Sequence, residues 1–482
     1  MSLSTALSTA QSIFNNTGSQ TAVTSTNISN VQNPDYIRRT AVLVTAGNGA
    51  LVASTERAQN ATLFRQTITS TSQASGQETL LSGLKELRSL LGNNDYDSSP
   101  SARLSKLVSN LDAYAAKPNE GTLASTVVSS AQDVADTLNN ASAEVQGVRA
   151  RADAQIKTQV DKLNTLLSKF ESANNEVMRA TISGSDGNNA LDTRDGLLKQ
   201  ISDIVGISTV TRANNDVAIY TSDGTTLFET IPRTVSFSAT ATYTATVTGN
   251  SIYVDGVAMQ AGTGADTDAQ GSLQALLQIR DDVAPKFQAQ LDEIARGVIV
   301  SFAETGPGGT LPAKAGLFTN GVDDSVATSA TIVPGLAASI SVNAAAKAKP
   351  QTVRDGGMNG AAYLVNTTAA TGFSTLLDGY SQALQTKQSF DPATGIEGSF
   401  DVISFASDSA GWLENLRSTA TAADETKSAA KSRAVEAHSS ESGVSLDEEL
   451  SLLLDIEQSY KAATKLVSTI DEMMKALLDM AR

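Results

Sequence analysis

The stretch LDEELSLLLDIEQSYKAATKLVSTIDEMMKALLDMAR, residues 446–482, places apolar side chains at Leu446, Leu453, Ile456, Tyr460, Ala463, Val467, Ile470, Met474, Leu477 and Ala481. From Leu453 the steps alternate between three and four, the spacing of a coiled-coil seam. The stripe is narrow and the rest of the helix polar, so it needs a helical partner. The opposite end repeats the pattern with Leu3, Leu7, Ala10, Phe14, Thr17, Thr21, Thr24, Ile28 and Val31. A chain with a seam at each end can pair its own ends or dock them into a larger helical assembly. Three threonines in the first stripe and Gly18 beside it lower its intrinsic helicity. The expectation is an N-terminal segment that is disordered alone and folds on assembly.

Working inward, Asn33-Pro34-Asp35 signals a turn that ends the first helix near Val31. Thr40 to Ala46 reads as a strand closed by Gly47-Asn48-Gly49, and a helix is expected from Ser54 to Leu91. Leu104, Leu107 and Leu111 mark a short helix that stops at Lys117-Pro118. The longest helix follows. Val127, Ala131, Val134, Leu138, Ala141, Val145, Val148 and Ala152 keep the heptad. Ile156 comes one residue late, a stutter that unwinds a coiled coil locally. Leu163, Leu166, Phe170, Ala173 and Val177 resume the pattern.

Beyond Gly184 the texture becomes β-like. Ile207–Thr211 and Val217–Tyr220 read as strands, with a hairpin turn at Asp223-Gly224. Residues 235–247 alternate apolar with Ser and Thr and read as one long strand, and Asp255-Gly256 turns the chain after Ile252 and Val254. Leu273–Glu304 reads as helix, kinked or restarted at Pro285. Ala327–Val333 and Ser339–Val342 are expected to rejoin the sheet, and helix dominates from Phe373. The fold class is therefore mainly α with an inserted antiparallel β domain. The expected body is elongated and multidomain, with terminal coiled-coil helices and a helical stem built from both chain ends. The expected division is a terminal core of 1–50 and 441–482, a stem of 51–190, 271–310 and 350–440, and an outer β domain of 191–270 and 311–349.

Composition narrows the function classes. A net charge of −16 disfavours non-specific binding to nucleic acid or anionic membranes. Without cysteine there are no disulfides, thiolate metal sites or cysteine nucleophiles. MSLSTALSTAQSIFNNTG lacks the basic and long apolar regions of a cleavable signal peptide, so export would need another route. His438, the only histidine, lies in a Ser-, Ala- and Glu-rich stretch and reads as a solvated surface residue. Asp186, Asn188, Asp192 and Asp195 have oxygen-ligand spacing but no EF-hand glycine or terminal glutamate; they read as the cap and first turn of a helix. Asp266 and Asp268 read as turn residues, and Gly306, Gly308 and Gly309 as a linker. No catalytic, cofactor or metal residues are assigned.

Thr26-Asn27-Ile28-Ser29-Asn30-Val31-Gln32-Asn33-Pro34-Asp35-Tyr36 resembles the N-terminal signature of bacterial flagellar axial proteins, with Asp35 where the family usually has glycine. Ser442–Glu449, Gln458–Ala462 and Asp471-Glu472-Met473 resemble the C-terminal signature of the same family. Leu191–Leu198, Gly271–Asp281 with Leu291-Asp292, and Gly316-Leu317-Phe318 resemble its hook-associated branch. The resemblance implies a non-enzymatic subunit of a ring-like layer between hook and filament, exported without a cleavable signal to the extracellular flagellum. Its implied partners are copies of itself, the hook protein, a second junction protein and the filament, with a cytoplasmic export chaperone on the C-terminal helix. No nucleic acid, membrane insertion or cofactor is implied. The family motif residues are Asn27, Asn30, Pro34 and Tyr36. The assembly seam is Leu3, Leu7, Phe14, Ile28, Val31, Leu453, Ile456, Tyr460, Val467, Ile470, Met474 and Leu477. The alternatives are another axial, hook-type subunit, or a secreted enzyme with a catalytic β insert.

Overall fold

The computed structural model describes residues 3–46, 49–92 and 95–480. The helices are α1 (Leu3–Ser29), α2 (Ala61–Arg88), α3 (Pro100–Ala116), α4 (Gly121–Ser183), α5 (Asn188–Ile204), α6 (Ser272–Gln278), α7 (Ala284–Ser301), α8 (Leu336–Ser339), α9 (Ala344–Ala348), α10 (Thr352–Asp355), α11 (Thr375–Leu384), α12 (Val402–Ser442) and α13 (Leu446–Met480). The strands are β1 (Arg39–Ala46), β2 (Gly49–Arg57), β3 (Ile207–Thr211), β4 (Val217–Thr221), β5 (Thr226–Phe228), β6 (Val235–Ser236), β7 (Tyr253–Val254), β8 (Val257–Ala258), β9 (Phe318–Thr319), β10 (Ser341–Val342), β11 (Gln388–Ser389) and β12 (Ser399–Phe400). The chain is mainly α, with small antiparallel sheets. It divides into two compact units: 1–74 with 162–235 and 427–482, and 75–161 with 236–426.

In the first unit α1 packs on α13 and on the β1–β2 hairpin. Thr9, Thr17, Thr21 and Thr26 turn their hydroxyls onto the carbonyl four residues earlier, which satisfies the hydroxyls without strengthening α1. α1 is nonetheless formed in the single chain, where α13 already supplies the partner that the expectation of disorder left to assembly. β1 and β2 pair from Arg39↔Arg57 to Ala46↔Gly49, with a bulge at Val42/Leu43. The strand reaches Arg57, so α2 starts at Ala61 and not at Ser54. β3, β4 and β5 form the expected hairpin sheet, and Phe228 meets Phe170 of α4 edge-on at 5.0 Å.

In the second unit the helix expected over 273–304 runs unbroken through a π-turn at Ile279–Val283, and Pro285 sits just after it in the first turn of α7. The π-turn buries Arg280, which donates to Asp153 at 2.7 Å and to the Asn250 carbonyl at 2.7 Å. The segment after Ser236 is not the long strand that its alternation suggests. Its small Ala, Ser and Thr side chains offer little to a sheet face, and side chains of α4 take its polar groups instead. Asp153 accepts from Thr240 N at 2.8 Å and Tyr243 Oη at 2.6 Å, and Arg149 donates to the carbonyls of Thr244 and Val247. Ala327–Val333 is irregular, and β10 pairs only with β9. Within Gly316-Leu317-Phe318 the glycine is sterically required: a Cβ would lie 2.1 Å from the Phe302 carbonyl oxygen. Asp292 accepts from Gly335 N and Ala337 N, which fixes the start of α8.

Candidate assembly interface

α13 begins with Asp447, Glu448 and Glu449, whose charge complements the helix N-terminus. It runs antiparallel to α1. Phe14 meets Tyr460 at 5.0 Å, and beyond the other end of α1 the Arg38 amide donates to the Ser442 carbonyl at 2.8 Å. Arg38 also ion-pairs with Glu449 at 2.7 Å. Along the seam each helix buries every seventh residue: Ala10, Thr17 and Thr24 on α1, and Ile456, Ala463 and Ile470 on α13. These residues are small on α1, so the contact is thin.

The rest of the expected seam is only partly covered. Leu3, Phe14, Ile28, Leu453 and Val467 are half-buried. Leu7, Val31, Tyr460, Met474 and Leu477 are exposed, Tyr460 by 53%, Met474 by 51% and Leu477 by 48%. Phe14, Leu453, Ile456 and Tyr460 come together around an open apolar groove of about 460 Å³, floored by Thr17, Gly18 and Thr21. A second exposed row, Leu446, Leu450 and Leu454, runs along the N-terminal half of α13 at four-residue steps.

The signature residues build the turn that connects α1 to the hairpin. Asn27 is buried. Its Nδ2 donates to the Arg39 carbonyl at 2.9 Å, while its Oδ1 accepts from Tyr36 Oη at 2.7 Å and from Arg39 N at 3.1 Å. The Arg39 guanidinium lies over the Tyr36 ring at 4.8 Å. Burial pushes the Tyr36 phenol up, against the pull of Arg39. Asn30 ties back to the Thr26 carbonyl, and Pro34 stands in the exposed bend before Tyr36 N returns to the Asn33 carbonyl. Asp35 is not among the residues with positive φ, so this turn does not require glycine there.

The acidic cluster is neither a cation site nor simply a cap. Asp186 does accept from Asn188 N, but Asp192 and Asp195 face the base of the hairpin. Arg39 pairs with Asp192 at 2.9 Å, and Arg57 pairs with Asp192 at 2.8 Å and Asp195 at 2.7 Å, all nearly buried. Burial pushes the Asp192 carboxyl up while Arg57 and Arg39 pull it back. Asn188 adds a bond to the Thr55 carbonyl, and Asn189 accepts from Arg39. Sequence reasoning missed both arginines and also Asn16, which brackets β2 by donating to Ala50 O and accepting from Val52 N. The available signal was Asp192 and Asp195 three residues apart on one helix face.

His438 also departs from expectation. It is only 6% exposed and packs on Phe64 of α2, with ring centroids 5.6 Å apart. Among the described residues no group of His, Asp and Glu has metal-binding geometry, and no helix is long and apolar enough to cross a membrane.

Two family models match the chain. The flagellar hook-associated protein FlgK helical domain covers residues 84–311, and the flagellar basal body rod FlgEFG protein C-terminal model covers residues 436–480. The chain is 26% identical over 187 residues to flagellar hook-associated protein 1 of Bacillus subtilis, spanning 39% of this chain and 37% of that one. It is 21% identical over 316 residues to flagellar hook-associated protein 1 of Escherichia coli, 63% of this chain and 56% of that one. The matches thus span little more than half of these relatives at most. A structure of the flagellar hook junction protein FlgK from Burkholderia pseudomallei overlaps 53% of this chain and 46% of its own, at 21% identity and a TM-score of 0.43.

Proposed function

We propose that this chain, which is similar to the hook-associated family of flagellar axial proteins, is a structural subunit of the junction layer between hook and filament. The supporting observation is the half-covered seam: α13 lies within the rod-type C-terminal match, yet Tyr460, Met474 and Leu477 of its stripe face solvent. Fully burying one such side chain stabilises by about 1.5–3 kcal/mol, so copies of this helix have reason to pack together. Copies of the chain then form a ring in which residues 1–50 and 441–482 line the inner tube. The ring contacts the hook protein on one side, and a second junction protein and the filament on the other. An exposed apolar helix also needs masking before export, which is a role for a cytoplasmic chaperone bound to α13. The subunit leaves the cell by the flagellar route and acts outside it with no catalytic step.

A charge at Ile470 would test the seam, but Ile470 is buried against its own chain, so Ile470→Asp also disturbs the α1–α13 pair. Met474→Asp with Leu477→Asp alters only exposed positions. The expected outcome is hooks without filaments and filament subunits lost to the medium, scored by electron microscopy and by blotting culture supernatants. Normal filaments and motility would overturn the proposal.

A further inference from the structure

The joint between α12 and α13 holds the only imidazole of the chain. His438 lies one turn before α12 ends at Ser442, and only Gly443, Val444 and Ser445 separate the two helices. The ring packs against Phe64, and its nitrogens have Ser442 Oγ at 3.4 Å, too long for a strong hydrogen bond. Its backbone carbonyl accepts from the same Ser442 hydroxyl. The ring also forms part of the wall of a cleft of about 910 Å³, open to water, lined by the signature turn, α2 and the joint itself. A proton can therefore reach a ring that has no strong acceptor among the described residues.

The charges around the ring are mixed. From α5 come Lys199 and Asp195, and from β2 comes Arg57. The signature turn presents Asp35, which pairs with Lys199 at 3.2 Å, and Arg38. α12 adds Lys431 and Glu441, and α13 adds Glu448; α2 presents only Phe64, Thr67 and Thr71 to the ring and the cleft. Asp195 already pairs with Arg57, leaving less of its charge to stabilise an imidazolium. Burial first, then Lys199 and Arg57, push the imidazole below its ordinary value, and Asp195 opposes them.

We propose that His438 is a proton-operated latch on the α12–α13 joint: the neutral ring closes the joint against α2, and the protonated ring releases it. The sign follows from linkage. A histidine depressed in the folded state contributes stability that is present above its unfolded value of about 6.5 and is lost as the pH falls through the folded value. Release frees the start of α13 from the contacts of Arg38 with Ser442 and Glu449, and so changes the direction in which α13 leaves α12.

Because the chain has one histidine, its ring C2–H resonance can be titrated without assignment. Amide exchange over residues 436–450, corrected for intrinsic rates, is followed between pH 8 and 5 in the full chain and in His438→Gln. The expected result is a ring midpoint below 6.5. Exchange at the joint should rise about tenfold through that midpoint in the natural chain and stay flat in the variant. Unchanged protection across the ring titration, or the same rise in His438→Gln, overturns the latch. If His438→Gln does not fold, the natural chain alone decides, by whether ring titration and joint exchange share one midpoint. Neither result bears on filament assembly, which the latch does not require.

Discussion

The seams of α4 and α13 share one spacing rule and differ in their cover. Along α4, Val127, Val134, Leu138, Val145, Ile156, Leu163 and Phe170 are almost completely buried. Along α13 only Ile456, Ala463 and Ile470 reach that state, at every seventh residue, while the alternate positions stay half-covered or open. A stripe with two apolar residues per heptad requires cover at both. Part of the cover on α4 is aromatic, with Phe228 against Phe170. α13 has α1, whose buried seam positions are alanine and threonine. The difference therefore lies in the partner supplied, and it is the basis for the proposal that α13 packs against other copies.

The largest effect that would sharpen this contrast is expected in α4. Leu138→Ala removes a side chain with no exposure and leaves a cavity, so it should destabilise by about 2–5 kcal/mol. The single tryptophan, Trp412, lies in the same compact unit, so urea unfolding followed by its fluorescence reads the loss directly. A loss below about 1 kcal/mol would mean that the α4 seam is as loosely covered as that of α13, and the contrast would fail.

An intermediate effect is expected where the two ends of the chain are tied together. Asn27→Ala leaves the Tyr36 hydroxyl and the Arg39 amide and carbonyl without their partner in a buried turn, which should cost about 1–3 kcal/mol. Amide exchange at Arg39 and Val52, both bonded to side chains of α1, should accelerate while exchange in the second unit does not change. Wild-type protection in the variant would show that the α1–α13 contact holds the turn unaided.

The helices were legible because their periodicity is strong and their ends carry turn residues such as Asn33-Pro34 and Lys117-Pro118. What misled were features whose partners lie far away in sequence. The alternation over 235–247 has a strand's period, but its polar groups are claimed by Asp153 and Arg149 about ninety residues earlier. Asp192 and Asp195 suggested a cation or a cap because their arginines stand more than 130 residues away. His438 read as solvated because its own helix is polar, and only α2 supplies the ring that covers it. On α13 the pattern named the seam residues, but burial alone separates Ile456, Ala463 and Ile470 from Tyr460, Met474 and Leu477.

That separation yields the smallest expected effect. Leu477→Ala truncates a side chain that is about half exposed in the single chain, and all residues from 471 to 480 are exposed. If the seam faces other subunits, the isolated chain should lose no more than about 0.5 kcal/mol, as at an ordinary surface position. The same leucine should matter once copies associate, because an interface residue is stabilised only when its partner arrives. Helix content by circular dichroism and the urea midpoint of the variant should therefore match the natural chain. A loss of 2 kcal/mol or more would mean that Leu477 is covered within one molecule, and α13 would then be a core helix like α4, with its open row serving no neighbour.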